Sequence, residues 1–166
     1  MQESKSYMVK FNEKGVYSMK LSLIAVMAVL GMVQAGAGEL NWMTDLPKAQ
    51  AKAKAENKLV MLDFTGSDWC GWCIKLNKEV FSKQDFIDYA NKNLVVVEVD
   101  FPRAKQQTDE QKKANQSLQE KYKIEGYPTI IVLNSSGAKV GELGYQPGGP
   151  KPFIEQLEGL KKKSQT

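Results

Sequence analysis

Apolar residues are grouped along this chain in two ways, as short unbroken runs and as longer stretches with helical spacing. The unbroken runs are rich in Val, Leu and Ile, and such runs are typical of strands that are buried on both faces of a sheet. They predict strands at 58–64, 94–99 and 129–133. A fourth strand, Lys139–Leu143, is predicted after a hairpin turn at 134–137.

The longer stretches predict helices at 46–57, 70–91, 109–122 and 153–163. Asp45 is placed to be the N-cap of the first helix, with Pro47 in its first turn. The composition of 82–85 predicts that the second helix is broken there and restarts. Counted from the first strand, the order is βαβαββα, which indicates an α/β domain with a mixed sheet of about four strands flanked by helices.

The first 35 residues have the character of an export signal. Lys20 precedes a largely apolar stretch at 21–33, and small residues follow at 35–37, which is the pattern of a signal peptide and its cleavage site. A buried helix or a retained membrane anchor is the alternative, although the stretch is short for a bilayer. We predict an N-terminal extension and signal peptide at 1–35 and one domain at 39–166, periplasmic or secreted after cleavage.

Composition narrows the chemistry. A net charge of +4 over 166 residues gives little reason to expect nucleic-acid binding. The chain has no histidine, the residue that serves most often as a general base or metal ligand. Two cysteines without histidine do not supply the four ligands of a structural zinc site unless two molecules share one.

The two cysteines, Cys70 and Cys73, lie between a predicted buried strand and a predicted helix. At the N-terminus of a helix, Cys70 meets unpaired backbone N–H groups and the positive end of the helix dipole, which favour the thiolate. We predict that Cys70 attacks a disulfide and that Cys73, one turn into the helix, resolves the mixed disulfide. A static structural disulfide is the alternative, but so small a loop would constrain the unfolded chain only weakly.

Three sequence features resemble the thioredoxin fold, and the resemblance runs from about residue 40 to the end of the chain. They are Asp63-Phe64 ahead of Trp69-Cys70-Gly71-Trp72-Cys73, the segment Gly126-Tyr127-Pro128-Thr129 before a strand, and the terminal hairpin and helix. The Trp-Cys-Gly-Trp-Cys form and the preceding helix rich in alanine and lysine are most similar to exported bacterial thioredoxin-like proteins. They also resemble the C-terminal domain of the transmembrane thiol-disulfide reductant conductor.

The resemblance implies a catalytic role for Asp63. This residue matches the buried acid that relays the proton of the inner cysteine, and desolvation on an apolar strand would raise the pKa of such a carboxyl. Six residues separate Asp63 from Cys70, one more than in thioredoxins. Val96 takes the place of the lysine that accompanies the acid there, if Asp100 marks the register. The alternative for Asp63 is a carboxylate at the end of a strand among polar neighbours.

The resemblance also implies a substrate groove. It implies a cis Tyr127–Pro128 bond next to the disulfide, which leaves the Tyr127 backbone free to pair with an extended substrate segment. We expect Trp69 to pack beside the sheet and Trp72 to be exposed at the start of the helix, where it docks polypeptide. The predicted substrate-binding residues are therefore Trp69, Gly71, Trp72, Tyr127 and Pro128.

The predicted function is that of a thiol-disulfide oxidoreductase of the cell envelope that reduces or exchanges protein disulfides. We expect no cofactor and no metal beyond the redox-active disulfide. The expected partners are exported proteins with disulfides or thiols and an upstream envelope dithiol reductant. The protein is expected to be a monomer that meets the membrane only during export. A disulfide oxidase or isomerase, or a non-catalytic peptide-binding module with an inert disulfide, are the alternatives.

Overall fold

The computed structural model describes residues 39–164, and the predicted signal peptide at 1–35 lies outside that range. The elements in chain order are α1 (Leu46–Glu56), β1 (Leu59–Thr65), α2 (Gly71–Leu76), α3 (Gln84–Asn93), β2 (Leu94–Asp100), α4 (Asp109–Tyr122), β3 (Thr129–Leu133), β4 (Lys139–Leu143) and α5 (Pro150–Lys163). A π-helical segment, Asn77–Phe81, joins α2 to α3. None of the helices at 39–164 combines the length and the apolar character that a membrane crossing needs.

The strands form one mixed sheet in the order β2-β1-β3-β4. β1 and β2 are parallel because α2 and α3 carry the chain back across the sheet between them. β3 runs antiparallel to both β1 and β4, and a tight turn joins it to β4. The mixed four-stranded sheet flanked by helices is therefore confirmed.

Alternation along the strands produces two apolar cores, one on each side of the sheet. Leu59 and Met61 of β1 belong to the core that packs against α3, α5 and the α2 region. Val60, Leu62 and Phe64 belong to the core that packs against α1 and α4. Every residue of β1 is buried, so the prediction of a strand covered on both faces is confirmed.

Two helix boundaries add detail to the predicted pattern. The helix that begins after Cys70 is interrupted at 82–83, as predicted, but the turn before the break is π-helical rather than α-helical. The last helix begins at Pro150, not at 153. A proline in the first helical turn lacks only an N–H that the helix would leave unpaired, so Pro150 and Pro152 are compatible with an earlier start.

A short lead-in before α1 adds a further contact to the sheet. Met43 forms a parallel bridge with Val97 of β2, donating its N–H to the Val96 carbonyl at 3.0 Å and accepting the Glu98 N–H at 2.8 Å. The neighbouring Trp42 packs its ring against Phe81, with centroids 5.5 Å apart. The lead-in thus holds Glu98 from the side of β2 that faces away from β1.

Candidate active site

A tight turn carries the chain from the end of β1 into the cysteines. The Gly66 carbonyl accepts hydrogen bonds from the N–H groups of Trp69 and Cys70, at 3.1 and 2.8 Å. A side chain at position 66 would collide with the Trp69 indole, because a Cβ built there lies 2.5 Å from Trp69 Cε2. Glycine at this position therefore lets the indole fold back over the turn.

The same turn is tied to the loop that follows β2. Ser67 donates its N–H and its hydroxyl to the Asp100 carboxylate, at 2.9 and 2.6 Å. The Asp68 carboxylate accepts the backbone N–H groups of Arg103, Ala104 and Lys105. These bonds, led by that from Arg103, lower the pKa of Asp68. The longer spacing between Asp63 and Cys70 is thus accommodated by a turn that anchors a second loop.

The two cysteines form a disulfide at the start of α2, with Cα atoms 5.2 Å apart. Cys70 is the N-cap, and its sulfur accepts the backbone N–H of Cys73 at 3.2 Å. The exposures of the two residues are similar, 7% for Cys70 and 4% for Cys73. The position of Cys70 at the helix start therefore distinguishes the two cysteines more clearly than their exposure does.

Asp63 lies behind the disulfide and is 7% exposed. Asp63 and Cys73 line the same cleft, which has a volume of about 290 Å³. Within residues 39–164, Oδ1 of Asp63 has no hydrogen-bond partner. Burial, followed by the charges of Glu98 and Asp100, raises the pKa of Asp63 to about 8. The carboxyl is therefore mostly protonated at neutral pH, and it is buried behind the inner cysteine rather than exposed at a strand end.

The strand next to Asp63 supplies a second carboxyl. In the parallel register, Asp63 pairs with Glu98, whereas Val96 pairs with Met61 inside the core. The residue beside the acid is therefore Glu98, and the assumed register that placed Val96 there was wrong. Glu98 is half-buried and lines the cleft, and burial is the main cause that raises the pKa of its carboxyl.

The predicted groove residues Tyr127 and Pro128 lie at the end of β1 from which the cysteine turn departs. Thr129, the first residue of β3, pairs with Phe64, so Pro128 lies just beyond this end of the sheet. The Tyr127–Pro128 bond is cis, in agreement with the resemblance. The Tyr127 ring meets the Trp69 ring edge to face, with centroids 6.0 Å apart.

Trp69 contacts loops rather than the face of the sheet. Its indole N–H donates to the Phe101 carbonyl at 2.8 Å, and the Arg103 guanidinium lies 4.0 Å from the ring centroid. The Phe101 ring in turn stacks on Tyr127, with centroids 5.3 Å apart. Trp69 remains 37% exposed, so part of its surface is open beside the disulfide.

Trp72 lies at the start of α2 and is 58% exposed, which confirms the expected exposure. Its ring packs against Tyr145, with centroids 5.1 Å apart, and the Lys75 ammonium lies 5.2 Å from both ring centroids. Gly71 precedes Trp72, and a Cβ added at Gly71 would meet nothing within 4 Å. The surface around the disulfide is therefore aromatic, and it is open at Gly71.

A model of the thioredoxin-like domain family matches residues 46–158, which is more than half of the chain. The chain belongs to the thioredoxin-like family. Among relatives of this thioredoxin-like protein, disulfide bond reductase DsbH of Chlamydia pneumoniae is 34% identical over 126 residues, which cover 76% of this chain and 75% of DsbH. Thiol:disulfide interchange protein DsbD of Vibrio cholerae is 30% identical over an alignment that covers 83% of this chain and 25% of DsbD.

Solved structures agree with the family assignment. A structure of DsbH oxidoreductase superposes with a TM-score of 0.73 and 32% identity, covering 81% of this chain and 92% of that one. A thioredoxin from Thermus thermophilus shares the fold, with a TM-score of 0.56 and 24% identity over 74% of this chain and 88% of its own. Because its relatives are thiol-disulfide proteins and it carries the Cys70–Cys73 disulfide, this thioredoxin-like chain is a thiol-disulfide oxidoreductase-like protein.

Sequence reasoning had not singled out four residues around this thioredoxin-like site, namely Trp42, Glu98, Arg103 and Tyr145. Glu98 carried a readable signal, because it is the one charged residue inside an otherwise apolar run at 94–99. The other three reach the site from loops or from the lead-in, where the sequence has no periodic pattern from which contacts could be predicted.

Two further features of the thioredoxin-like domain bear on the location of the site. A larger groove of about 540 Å³ lies between the starts of α1 and α4, and its lining includes Leu46, Thr108 and Leu118. It is on the other side of the sheet from the cleft that Cys73 lines, so we do not connect it with the disulfide. Among residues 39–164, no group of three or more His, Cys, Asp or Glu side chains is arranged to hold a metal ion.

Proposed function

We propose that this protein reduces disulfides of exported proteins in the cell envelope, with Cys70 as the attacking cysteine and Cys73 as the resolving one. The observation that carries the proposal is the position of the Cys70 sulfur at a helix start, where it accepts the Cys73 N–H. A donor aimed at this sulfur stabilises it as a thiolate, which is the nucleophile in disulfide exchange. The relative DsbH is a disulfide bond reductase, which supports reduction as the direction.

The proposed reaction has two exchange steps. The Cys70 thiolate attacks one sulfur of a substrate disulfide, so that a mixed disulfide forms and the other substrate sulfur leaves as a thiolate and takes up a proton. The Cys73 thiol then loses its proton and attacks the Cys70 sulfur, which closes the Cys70–Cys73 disulfide and releases the second substrate thiolate. Two electrons pass from the protein dithiol to the substrate, and an envelope dithiol reductant restores the dithiol.

Asp63 is proposed to accept the proton of Cys73 in the second step. Both groups line one cleft, and the raised pKa of Asp63, about 8, lies near the ordinary pKa of a thiol. An acid and a base of similar pKa exchange a proton without a large energetic penalty. At neutral pH it is the ionised fraction of Asp63 that accepts the proton, and this fraction increases as the pH rises toward 8.

The substrate-binding surface is proposed to consist of Trp69, Gly71, Trp72, Tyr127 and Pro128. Aromatic rings that are partly exposed provide apolar contact area for an unfolded segment near the disulfide. An extended segment would pair with the backbone at Tyr127 in the manner of an added strand. The residues come from the start of α2 and from the approach to β3, so they flank the cysteines on two sides.

Activity on insulin tests the enzymatic proposal. We expect the wild type to accelerate reduction of the insulin disulfides by a chemical dithiol, and we expect Cys70→Ser to be inactive. Cys73→Ser is the matched control, because it keeps the attacking thiol and should accumulate a mixed disulfide. No acceleration by the wild type would contradict catalysis and would favour a peptide-binding module with an inert disulfide.

The direction of the reaction requires a separate measurement. A protein disulfide-isomerase of Ricinus communis is 28% identical over 66% of this chain and 19% of its own length, so an isomerase is the second candidate. We expect the Cys70–Cys73 pair to be held mostly as the disulfide when equilibrated with a glutathione buffer, as in reducing members of the fold. A dithiol that persists in oxidising buffer would identify the protein as a disulfide donor instead.

A further inference from the structure

The last residues of β1 and β2 place two carboxyls side by side under α2. Asp63 and Glu98 are partners in the parallel register, and neighbouring strands lie about 4.8 Å apart. Alternation directs residues 61, 63 and 65 of β1 and 96, 98 and 100 of β2 to the same face. The backbone of Glu98 is also held by Met43, so this residue is fixed by β1 on one side and by the lead-in on the other.

The two carboxyls differ in their access to water. Asp63 is buried and its Oδ1 has no partner within residues 39–164, whereas Glu98 is only half-buried. Both line the cleft of about 290 Å³ that also reaches Cys73. A cleft of this size with polar groups in its wall is large enough for several water molecules. A proton on Asp63 therefore has a short route to solvent past Glu98.

We propose that Glu98 is a positioning residue for thiol-disulfide exchange, which forms a carboxyl pair with Asp63 and passes the proton of Asp63 to solvent through the cleft. The inference rests on the proposed function of Asp63 as the acceptor for Cys73. In the resolving step the proton leaves the Cys73 sulfur for the Asp63 carboxylate, moves to the Glu98 carboxylate, and is released to water. Asp63 is thereby returned to the state that accepts the next proton, and no electron is transferred in this relay.

Three other titratable groups lie near the pair, and each has an identified contact or position. Asp100 lies on the same face of β2, but both of its carboxylate oxygens accept hydrogen bonds from Ser67. Lys105 acts on Glu98 by its charge and donates its ammonium to the Ser67 hydroxyl at 2.8 Å. From α2, Cys73 is the titratable group in the cleft wall. The remaining side chains of that wall are aromatic, aliphatic, amide or hydroxyl groups and do not titrate near neutral pH.

A like charge beside a carboxyl opposes its ionisation, and the removal of that charge favours ionisation. We therefore expect Glu98→Gln to lower the titration midpoint of Asp63 by roughly one pH unit. Glu98→Lys should lower it further, because the neighbouring charge is then attractive. The midpoints are read from the carboxyl carbon of Asp63 in an NMR pH titration of the reduced and oxidised protein. The rate of the resolving step is measured over the same pH range.

Glu142→Gln is the matched control, since Glu142 is an exposed strand residue paired with Lys139 on β4. It should leave the titration of Asp63 and the rate profile unchanged. In a background of Asp63→Asn, Glu98→Gln should no longer move the rate profile, because the acceptor through which it acts is absent. A shift of equal size in that background would mean that Glu98 acts on the cysteines directly, and the proposal would be overturned.

An unchanged midpoint of Asp63 in Glu98→Gln would also overturn the proposal. If Glu98→Lys does not fold, the glutamine variant alone decides the outcome, because it preserves the size and shape of the side chain. The NMR titration does not depend on catalysis, so it separates failure of the carboxyl pair from failure of the proposed function. The latter would be seen as absence of insulin reduction by the wild type.

Discussion

On the side of the central sheet that packs against α1 and α4, strands β1 and β2 end in Phe64 and Val99, both fully buried. On the side under α2, the same strand ends carry Asp63, Glu98 and Asp100. The two faces thus share a backbone and a register, and they differ only in alternate side chains. One face continues the core to its edge, whereas the other places acids behind the cysteines. Redox chemistry in this fold is therefore compatible with a well-packed sheet, because a single face is modified.

The largest effect is expected from a change on the apolar face. Phe64→Ala removes a ring that is fully buried and meets Tyr122 edge to face, with centroids 6.2 Å apart. We expect the free energy of unfolding to fall by about 3 to 5 kcal/mol, measured by urea denaturation. The equilibrium of Cys70 and Cys73 with glutathione should remain the same under native conditions. A change of that equilibrium would show that the two faces are not independent.

A smaller effect, which depends on pH, is expected at Asp63. Its pKa of about 8 in the folded protein exceeds the ordinary value of 3.8, so the folded state binds more protons between these pH values. The free energy of unfolding therefore falls as pH rises through this window. Below pH 3.8 both states hold the proton, and Asp63 no longer makes stability depend on pH. Relative to Asp63→Asn, the wild type should lose about 2 to 3 kcal/mol between pH 5 and pH 7.

Denaturant unfolding of both oxidised proteins at the two pH values measures this difference. The asparagine variant keeps the shape of the side chain and cannot ionise, so it is the matched reference. Equal pH dependence of wild type and variant would contradict the assignment of Asp63 as a protonated, buried acid. The test concerns the face under α2 alone, and Phe64→Ala should retain the pH dependence of the wild type.

A weaker effect is expected outside both cores, at Trp72. Trp72→Ala removes an exposed ring, and we expect KM for a protein disulfide to rise roughly threefold as apolar contact area is lost. The free energy of unfolding should change by less than about 0.5 kcal/mol. Turnover of a small aromatic disulfide serves as the control and should be unaffected. Equal losses with both substrates would indicate that Trp72 acts on the cysteines and not on docking.

The smallest effect is expected at Gly71. Because a Cβ there would meet nothing within 4 Å, Gly71→Ala should change the free energy of unfolding by less than about 0.5 kcal/mol. Turnover of a small disulfide should also stay within twofold of the wild type. Gly66→Ala provides the contrast, since its methyl group would collide with Trp69 and should alter the tryptophan fluorescence. A fold or stability defect in Gly71→Ala would contradict the open surface at this position.

Most of the fold could be predicted from the sequence because it depends on strong local patterns. The apolar runs that became β1, β2 and β3 and the cap at Asp45 are set by burial and by hydrogen bonds between near neighbours. The cysteine pair at a strand-to-helix junction was equally readable. The start of α5 at Pro150 was not predicted, because the glycines and prolines around it show no helical periodicity.

The rest of the site depends on contacts between distant segments. Glu98 could be placed beside Asp63 only after the register of β1 and β2 was known, and a shift of two residues suggested Val96 instead. Arg103 and Tyr145 reach the tryptophans from loops whose course no periodicity predicts. Such contacts follow from how loops close over the sheet, and the sequence carries no local signal for them.

The backbone pairing of Met43 with β2 has a consequence for association between molecules. Without that pairing, β2 would present a longer row of unsatisfied N–H and carbonyl groups, and such rows promote the addition of strands from other chains. Met43 occupies the groups of Val96 and Glu98 on that side. On the opposite margin, β4 is five residues long and carries Lys139 and Glu142. The residues ahead of α1 thus shorten the row of free backbone groups with which another chain could pair.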